Sequence, residues 1–135
     1  MAAVLGNDTD FENIFNRYAG SDTNNYSQYT GTWSGNFHET YGTYAGETGS
    51  LSISITVPAN GSFTGTGTAS NSLFGTFSIA GDLNQSTFTG RFEKAGGTLN
   101  GVFKASVIDS NNLAGTYAYY YSGNLCGGSI TLKRR

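Results

Sequence analysis

The stretch Leu51-Ser52-Ile53-Ser54-Ile55-Thr56-Val57 decides the fold class. Its apolar residues alternate with Ser and Thr, a period of two that is typical of a β-strand with one buried and one solvent-facing side. The strand ends at Pro58-Ala59-Asn60-Gly61, whose residues favour a tight turn. The sequence therefore predicts an all-β protein built from antiparallel strands joined by short turns.

A second pattern, apolar-x-Gly-x-apolar, recurs on both sides of this strand. Its copies are Trp33-Gly35-Phe37, Leu73-Gly75-Phe77, Phe88-Gly90-Phe92, Leu99-Gly101-Phe103, Leu113-Gly115-Tyr117 and Cys126-Gly128-Ile130, with a weaker copy at Phe63-Gly65-Gly67. Alternation places all three positions of each copy on one face of a strand, which we expect to point inward. Such glycines either permit tight coiling of the sheet or leave room for large neighbours or a ligand.

Counting these segments predicts eight strands, near residues 31–41, 49–57, 62–69, 73–80, 86–94, 97–107, 113–121 and 127–134. Short connections favour an up-and-down antiparallel meander, and closure into a barrel removes the exposed sheet edges. A β-sandwich is the alternative, because alternation alone does not establish closure. We expect the barrel domain to span residues 31–135.

Residues 1–30 form a separate N-terminal segment in this interpretation. Thr9 and Glu12 have the spacing of a capping box, and Phe11, Ile14, Phe15 and Tyr18 form an apolar stripe of helical period. The pattern predicts a short helix at about residues 10–19 that docks on the barrel. A polar linker over residues 21–30 follows it.

Composition narrows the classes of partner and compartment. Only 12% of residues are charged and the net charge is −2, which favours no nucleic-acid partner. The polar outer faces of the strands argue against a membrane span.

Cys126 is the single cysteine, so an internal disulfide is excluded. The charge-poor surface is compatible with a homo-oligomer and favours a secreted or extracytoplasmic protein, although no signal peptide is visible.

The sequence offers little for catalysis, metal binding or a cofactor. His38 is the single histidine and is predicted to point outward, and Cys126 is predicted to be a small buried hydrophobe. One histidine and one cysteine do not make a metal site. No nucleophile elbow or phosphate-binding loop is present. We therefore expect no catalytic residues, no metal and no cofactor.

Two features favour a ligand. Glu39 shares the inward face of Trp33 and Phe37 unless the strand ends before it, and a buried carboxylate needs a partner or a ligand. Tyr117, Tyr119 and Tyr121 also share one face, and tyrosines combine apolar area with a polar tip. As core residues with hydroxyl groups at the barrel mouth, the same tyrosines would need no ligand.

Gly31-Thr32-Trp33 at the start of the first strand, together with Arg134 in the last, resembles the calycin superfamily of lipocalins, fatty-acid-binding proteins and avidins. The resemblance implies a barrel in which Trp33 packs under Arg134 as a structural feature of the barrel end. The chain departs from avidins in having one Trp, and from secreted lipocalins in having no disulfide.

Three functions follow as hypotheses. The first is a non-catalytic barrel that holds a small apolar or aromatic ligand at its mouth, using Glu39 and the Tyr117–Tyr121 stripe, in a cavity of roughly a few hundred Å³. The second is a structural or interaction domain whose core is filled by phenylalanines that cover the glycines. The third is a cyclase or isomerase at the barrel mouth.

Overall fold

A computed structural model describes residues 25–71, 73–97 and 99–135 of the chain. A short 3-10 helix, Asn25–Tyr29, precedes the sheet, in part of the segment predicted to be a linker. The strands are β1 (Gly31–Tyr41), β2 (Thr48–Thr56), β3 (Ser62–Ala69), β4 (Thr76–Asn84), β5 (Thr87–Lys94), β6 (Asn100–Asp109), β7 (Asn112–Tyr121) and β8 (Asn124–Arg134). The helix predicted at residues 10–19 lies outside the described residues.

The eight strands form a closed antiparallel meander in which β8 pairs with β1. The prediction of an up-and-down barrel is therefore confirmed, and the sandwich alternative is wrong. The barrel has two ends. Strands β1, β3, β5 and β7 begin at the end that holds Trp33, here called the Trp33 end. They finish at the other end, here called the Glu39 end.

Alternation places most apolar strand residues inside the barrel, although Val102, Ile108 and Leu125 are exposed. Trp33, Phe37, Phe63, Ile79, Phe92 and Leu132 are examples of the buried core. The threonines Thr64, Thr66 and Thr68 of β3 alternate with this core and are exposed. The interior is therefore apolar and the outer surface is mainly Ser, Thr, Asn and charged residues.

The inward glycines permit close contact between strands and between strands and rings. A Cβ atom at Gly35 would overlap the carbonyl oxygen of Thr131 on β8, so a larger residue cannot fit without moving the backbone. At other positions a phenylalanine ring on the neighbouring strand lies over its paired glycine. These pairs are Phe37 with Gly49, Phe77 with Gly67, Phe92 with Gly101, and Phe103 with Gly90.

One copy of the glycine motif does not lie in a strand. The predicted strand at 73–80 begins at Thr76 and continues to Asn84, so Leu73 and Gly75 belong to the preceding loop. Gly75 has a φ of 52°, a left-handed conformation that glycine adopts without strain. The inward glycine of β4 is Gly81, which pairs with Gly90 of β5. The predicted strand start at residue 73 was wrong because Leu73 and Gly75 match the spacing of the motif but lie in a loop.

The close approach at Gly35 gives a stability prediction. Gly35→Ala is expected to lower the free energy of unfolding by about 1–3 kcal/mol, because the added methyl group must displace the β8 backbone. Equilibrium denaturation in urea measures this change. Asn36→Ala, on the exposed face beside it, is the control and should stay within about 0.5 kcal/mol of the parent protein. Equal stability of the two variants would contradict the close approach.

Candidate functional site

Glu39 is a buried acidic residue inside the barrel, only 1% exposed. The alternation of β1 continues past Phe37, so the alternative in which the strand ends before Glu39 is wrong. The β1–β2 hairpin satisfies its backbone: the Glu39 N–H donates to the Glu47 carbonyl at 2.8 Å, and its carbonyl accepts from the Gly46 N–H at 2.8 Å. The register shift between Glu39 and Tyr41 in the pairing with β8 lies directly after it.

Two tyrosines of β7 donate hydrogen bonds to this carboxylate. The Tyr119 hydroxyl donates to Oε1 at 2.6 Å and the Tyr117 hydroxyl donates to Oε2. The two rings are stacked, with centroids 6.2 Å apart and an interplanar angle of 7°. Each carboxylate oxygen therefore has its own phenolic donor.

Gly128 explains how side chains from β1 and β7 meet although β8 lies between those strands. Glu39 pairs with Gly128 on one side, and Tyr117 pairs with the same glycine on the other. A Cβ atom at Gly128 would overlap the backbone at His38 and Glu39. Because Gly128 has no side chain, the Glu39 carboxylate and the Tyr117 hydroxyl can approach each other across β8.

The environment changes the acidity of both tyrosines. Burial raises the pKa of Tyr117 and Tyr119 well above the ordinary value, and the hydrogen bonds and negative charge of Glu39 raise it further. Both hydroxyl groups therefore remain protonated donors at neutral pH.

Tyr121, the third tyrosine of the predicted stripe, does not join Glu39. Its ring packs edge-on against Tyr44 of the β1–β2 connection, with centroids 5.3 Å apart. The hydrogen bond with Tyr121 raises the pKa of Tyr44, and partial desolvation adds to this shift. The structure thus brings together Glu39, Tyr117 and Tyr119, and places Tyr121 at the outer rim of the same end.

Phe74 covers the Glu39 end and comes from a loop rather than a strand. Its ring makes edge-to-face contacts with Tyr119 at 5.1 Å, Phe37 at 5.6 Å, and Tyr117 and Phe92 at 6.0 Å between centroids. The loop is held by Asn71, whose side-chain oxygen accepts from the Phe74 N–H at 3.2 Å. Phe74 was not predicted as a site residue from the sequence. The sequence feature that could have indicated it is the adjacent apolar pair Leu73-Phe74, which breaks the period-two alternation.

The barrel interior contains a cavity of about 80 Å³ whose lining is apolar. Trp33, Phe63 and Phe88 line it toward the Trp33 end, and Phe74 and Tyr117 line it toward the Glu39 end. It is smaller than the expected cavity of a few hundred Å³, because phenylalanine rings cover the inward glycines. Glu39 is not part of this lining, whereas Tyr117, which donates a hydrogen bond to its carboxylate, is part of it.

The Trp33 end is closed by the 3-10 helix and by Arg134. The indole Nε1 of Trp33 donates to the Tyr29 carbonyl at 3.0 Å, and the Arg134 guanidinium carbon lies 4.6 Å from the centre of the Trp33 ring. Arg134 also donates to the carbonyl oxygens of Gln28, Thr30 and Ser110. These aromatic and hydrogen-bond contacts cover Trp33 at this end of the barrel.

His38 and Cys126 take no part in the hydrogen bonds that the Glu39 carboxylate accepts from the described residues. His38 is exposed and Cys126 is buried, where its Sγ accepts from the Thr43 N–H at 3.4 Å. Residues 25–71, 73–97 and 99–135 contain no group of three His, Cys, Asp or Glu side chains able to hold a metal ion. Within the same ranges, no helix has the length and apolar character needed to cross a membrane.

Comparison with known proteins identifies the fold alone. No family model matches the chain, and no curated protein sequence matches it. Among solved structures, a redesigned β-barrel is similar, with a TM-score of 0.59 and 13% identity. The match covers 81% of this chain and 93% of the redesigned barrel. The chain therefore has the fold of a closed eight-stranded barrel.

The raised pKa values predict delayed ionisation of two tyrosines. The unfolded pKa of tyrosine is about 10, so above that pH the unfolded chain loses protons that the folded chain keeps, and the free energy of unfolding falls. Phenolate absorbance during an alkaline titration should show Tyr117 and Tyr119 ionising only as the protein unfolds.

Two variants assign these signals. Tyr119→Phe should remove one late-titrating group, whereas Tyr120→Phe, at a side chain that is 68% exposed, is the control and should leave the late-titrating signal unchanged. Loss of an early-titrating tyrosine in Tyr119→Phe would contradict the buried cluster.

Proposed function

We propose that this protein is a non-catalytic, calycin-like carrier that holds a small apolar or aromatic ligand at the Glu39 end of the barrel. The ligand would take the position that the Phe74 ring occupies in the closed barrel. The observation that carries the proposal is the position of Phe74, a loop side chain that lines the apolar cavity and packs against both Tyr117 and Tyr119, the two hydrogen-bond donors of Glu39. The packing of Arg134 over Trp33 supports the proposal that the barrel is calycin-like.

The size of the cavity requires Phe74 to move. Ligand sites usually occupy about 300–1,000 Å³, and even an engineered apolar cavity that binds benzene measures about 150 Å³. The cavity of about 80 Å³ is smaller than either. When the Phe74 ring leaves, its space joins the cavity to the polar cluster, and the combined site can accept a molecule with one aromatic ring.

The contacts of Phe74 favour such an exchange. Its ring is held at the Glu39 end by edge-to-face contacts with four other rings, each worth about 0.5–1.5 kcal/mol beyond area burial. A ligand ring in the same position makes the same contacts, so the exchange loses little aromatic packing. Connecting loops also open locally at a lower free energy than strands of the core do.

A structural domain with a filled core is the second candidate. The observation that favours it is the covering of inward glycines by Phe37, Phe77, Phe92 and Phe103, which leaves only the small cavity. In that case Phe74 is a permanent core residue, and function lies on the outer surface of the barrel.

Titration with benzyl alcohol, followed by amide NMR spectra, distinguishes the two candidates. The carrier predicts saturable shifts at interior residues of the parent protein. It also predicts binding at least about tenfold tighter in Phe74→Ala, because the ligand no longer competes with four ring contacts. Leu73→Ala in the same loop is the control and should bind as the parent does. Phe74→Leu serves the same purpose if the alanine variant is too unstable to study.

Two results would contradict the carrier. Binding to Phe74→Ala without any binding to the parent protein would mean that the substitution itself creates the site, as the filled-core candidate predicts. Absence of binding to both proteins would show that the Glu39 end does not accept a ring in place of Phe74.

A further inference from the structure

The Glu39 carboxylate is buried without a cationic partner among the described residues. Among the described residues 25–71, 73–97 and 99–135, its carboxylate receives the two tyrosine hydroxyls and forms no ion pair. Arg134, an arginine on the inward face of β8, lies at the opposite end of the barrel over Trp33. Burial of a charge is costly unless the charge is paired, so the site would be stabilised by an added positive charge.

The carboxylate has capacity for further hydrogen bonds. Its two oxygens together offer about four lone-pair positions, and Tyr117 and Tyr119 use one on each oxygen. Both hydroxyl groups donate, which leaves the remaining positions suited to a donor and not to an acceptor. An N–H group of a ligand could donate a hydrogen bond to one of these remaining carboxylate positions.

The surroundings of the carboxylate are aromatic. Phe74 packs edge-on against Tyr117 and Tyr119, and Phe92 lies edge-on to Tyr117 with centroids 6.4 Å apart. The faces of aromatic rings attract ammonium groups, more strongly where water is excluded. A carboxylate among several rings therefore combines the two interactions by which proteins bind organic cations.

We propose that the ligand is an arylalkylamine, whose ring takes the position of Phe74 and whose ammonium group binds the Glu39 carboxylate. The inference rests on the proposed carrier function and specifies its ligand class. The same charge disfavours carboxylates such as fatty acids, because a second anion beside a buried anion is repelled. A neutral aromatic molecule binds through its ring alone.

Three probes with the same ring and different head groups test this inference on the parent protein by isothermal titration calorimetry. They are benzylamine, benzyl alcohol and phenylacetate, each measured at neutral pH, where the amine is a cation and the acid an anion. The expected order of affinity is benzylamine, then benzyl alcohol, then phenylacetate. Benzylamine should bind at least about tenfold more tightly than benzyl alcohol, because charge-assisted hydrogen bonds are about twice as strong as neutral ones.

Glu39→Gln provides the matched variant, since it keeps the shape of the side chain and removes its charge. It should lose the preference for benzylamine over benzyl alcohol that the parent shows. If this variant does not fold, the comparison of the three probes on the parent protein still decides the inference.

The outcomes separate this inference from the carrier function. Equal affinity for benzylamine and benzyl alcohol, or tightest binding of phenylacetate, overturns the arylalkylamine and leaves the carrier intact. Absence of binding for all three probes overturns the carrier, and the arylalkylamine with it. An amine preference that persists unchanged in a folded Glu39→Gln variant also overturns the assignment to Glu39.

Discussion

The limited space inside a closed ring of eight strands is the constraint on which the rest of this structure depends. An eight-stranded barrel has an interior just wide enough for side chains to fill. The pairing of β8 with β1 fixes that interior, and the chain fills it by setting phenylalanine rings against glycines on neighbouring strands. This arrangement of rings and glycines accounts for the small cavity and for the close approach of Gly35 to β8. It also accounts for the hydrogen bond that Tyr117 donates to Glu39 across Gly128.

The same constraint makes the two ends of the barrel different. At the Trp33 end, the Arg134 side chain donates hydrogen bonds to the carbonyl oxygens of Gln28 and Thr30, which precede β1, so this end is held by bonds between a side chain and the backbone. At the Glu39 end, closure depends on the Phe74 ring and its loop. A barrel that opens at one end would therefore open at the Glu39 end, where the buried carboxylate lies.

Period-two alternation predicted most of the strands and gave an inward Glu39 as one of two alternatives, because both depend on local pattern. The closed meander was inferred instead from the short turns and from the need to remove exposed sheet edges. The partnership of Glu39 with Tyr117 and Tyr119 was beyond such reasoning. It depends on the register of two strand pairs, β1 with β8 and β7 with β8, which meet at Gly128. Phe74 was missed for a different reason. Its burial is decided by tertiary contacts of a loop, and the Leu73-Gly75-Phe77 spacing assigned that loop to a strand. The size of the cavity also escaped prediction, since it depends on how each ring is oriented over its glycine.

Native mass spectrometry of the protein purified from its own source tests whether the barrel carries a ligand. We predict a bound small molecule, lost when the protein is denatured, whose mass and fragmentation identify an aromatic amine. A bare protein mass under native conditions, unchanged by denaturation, would contradict the account and assign the barrel a filled core.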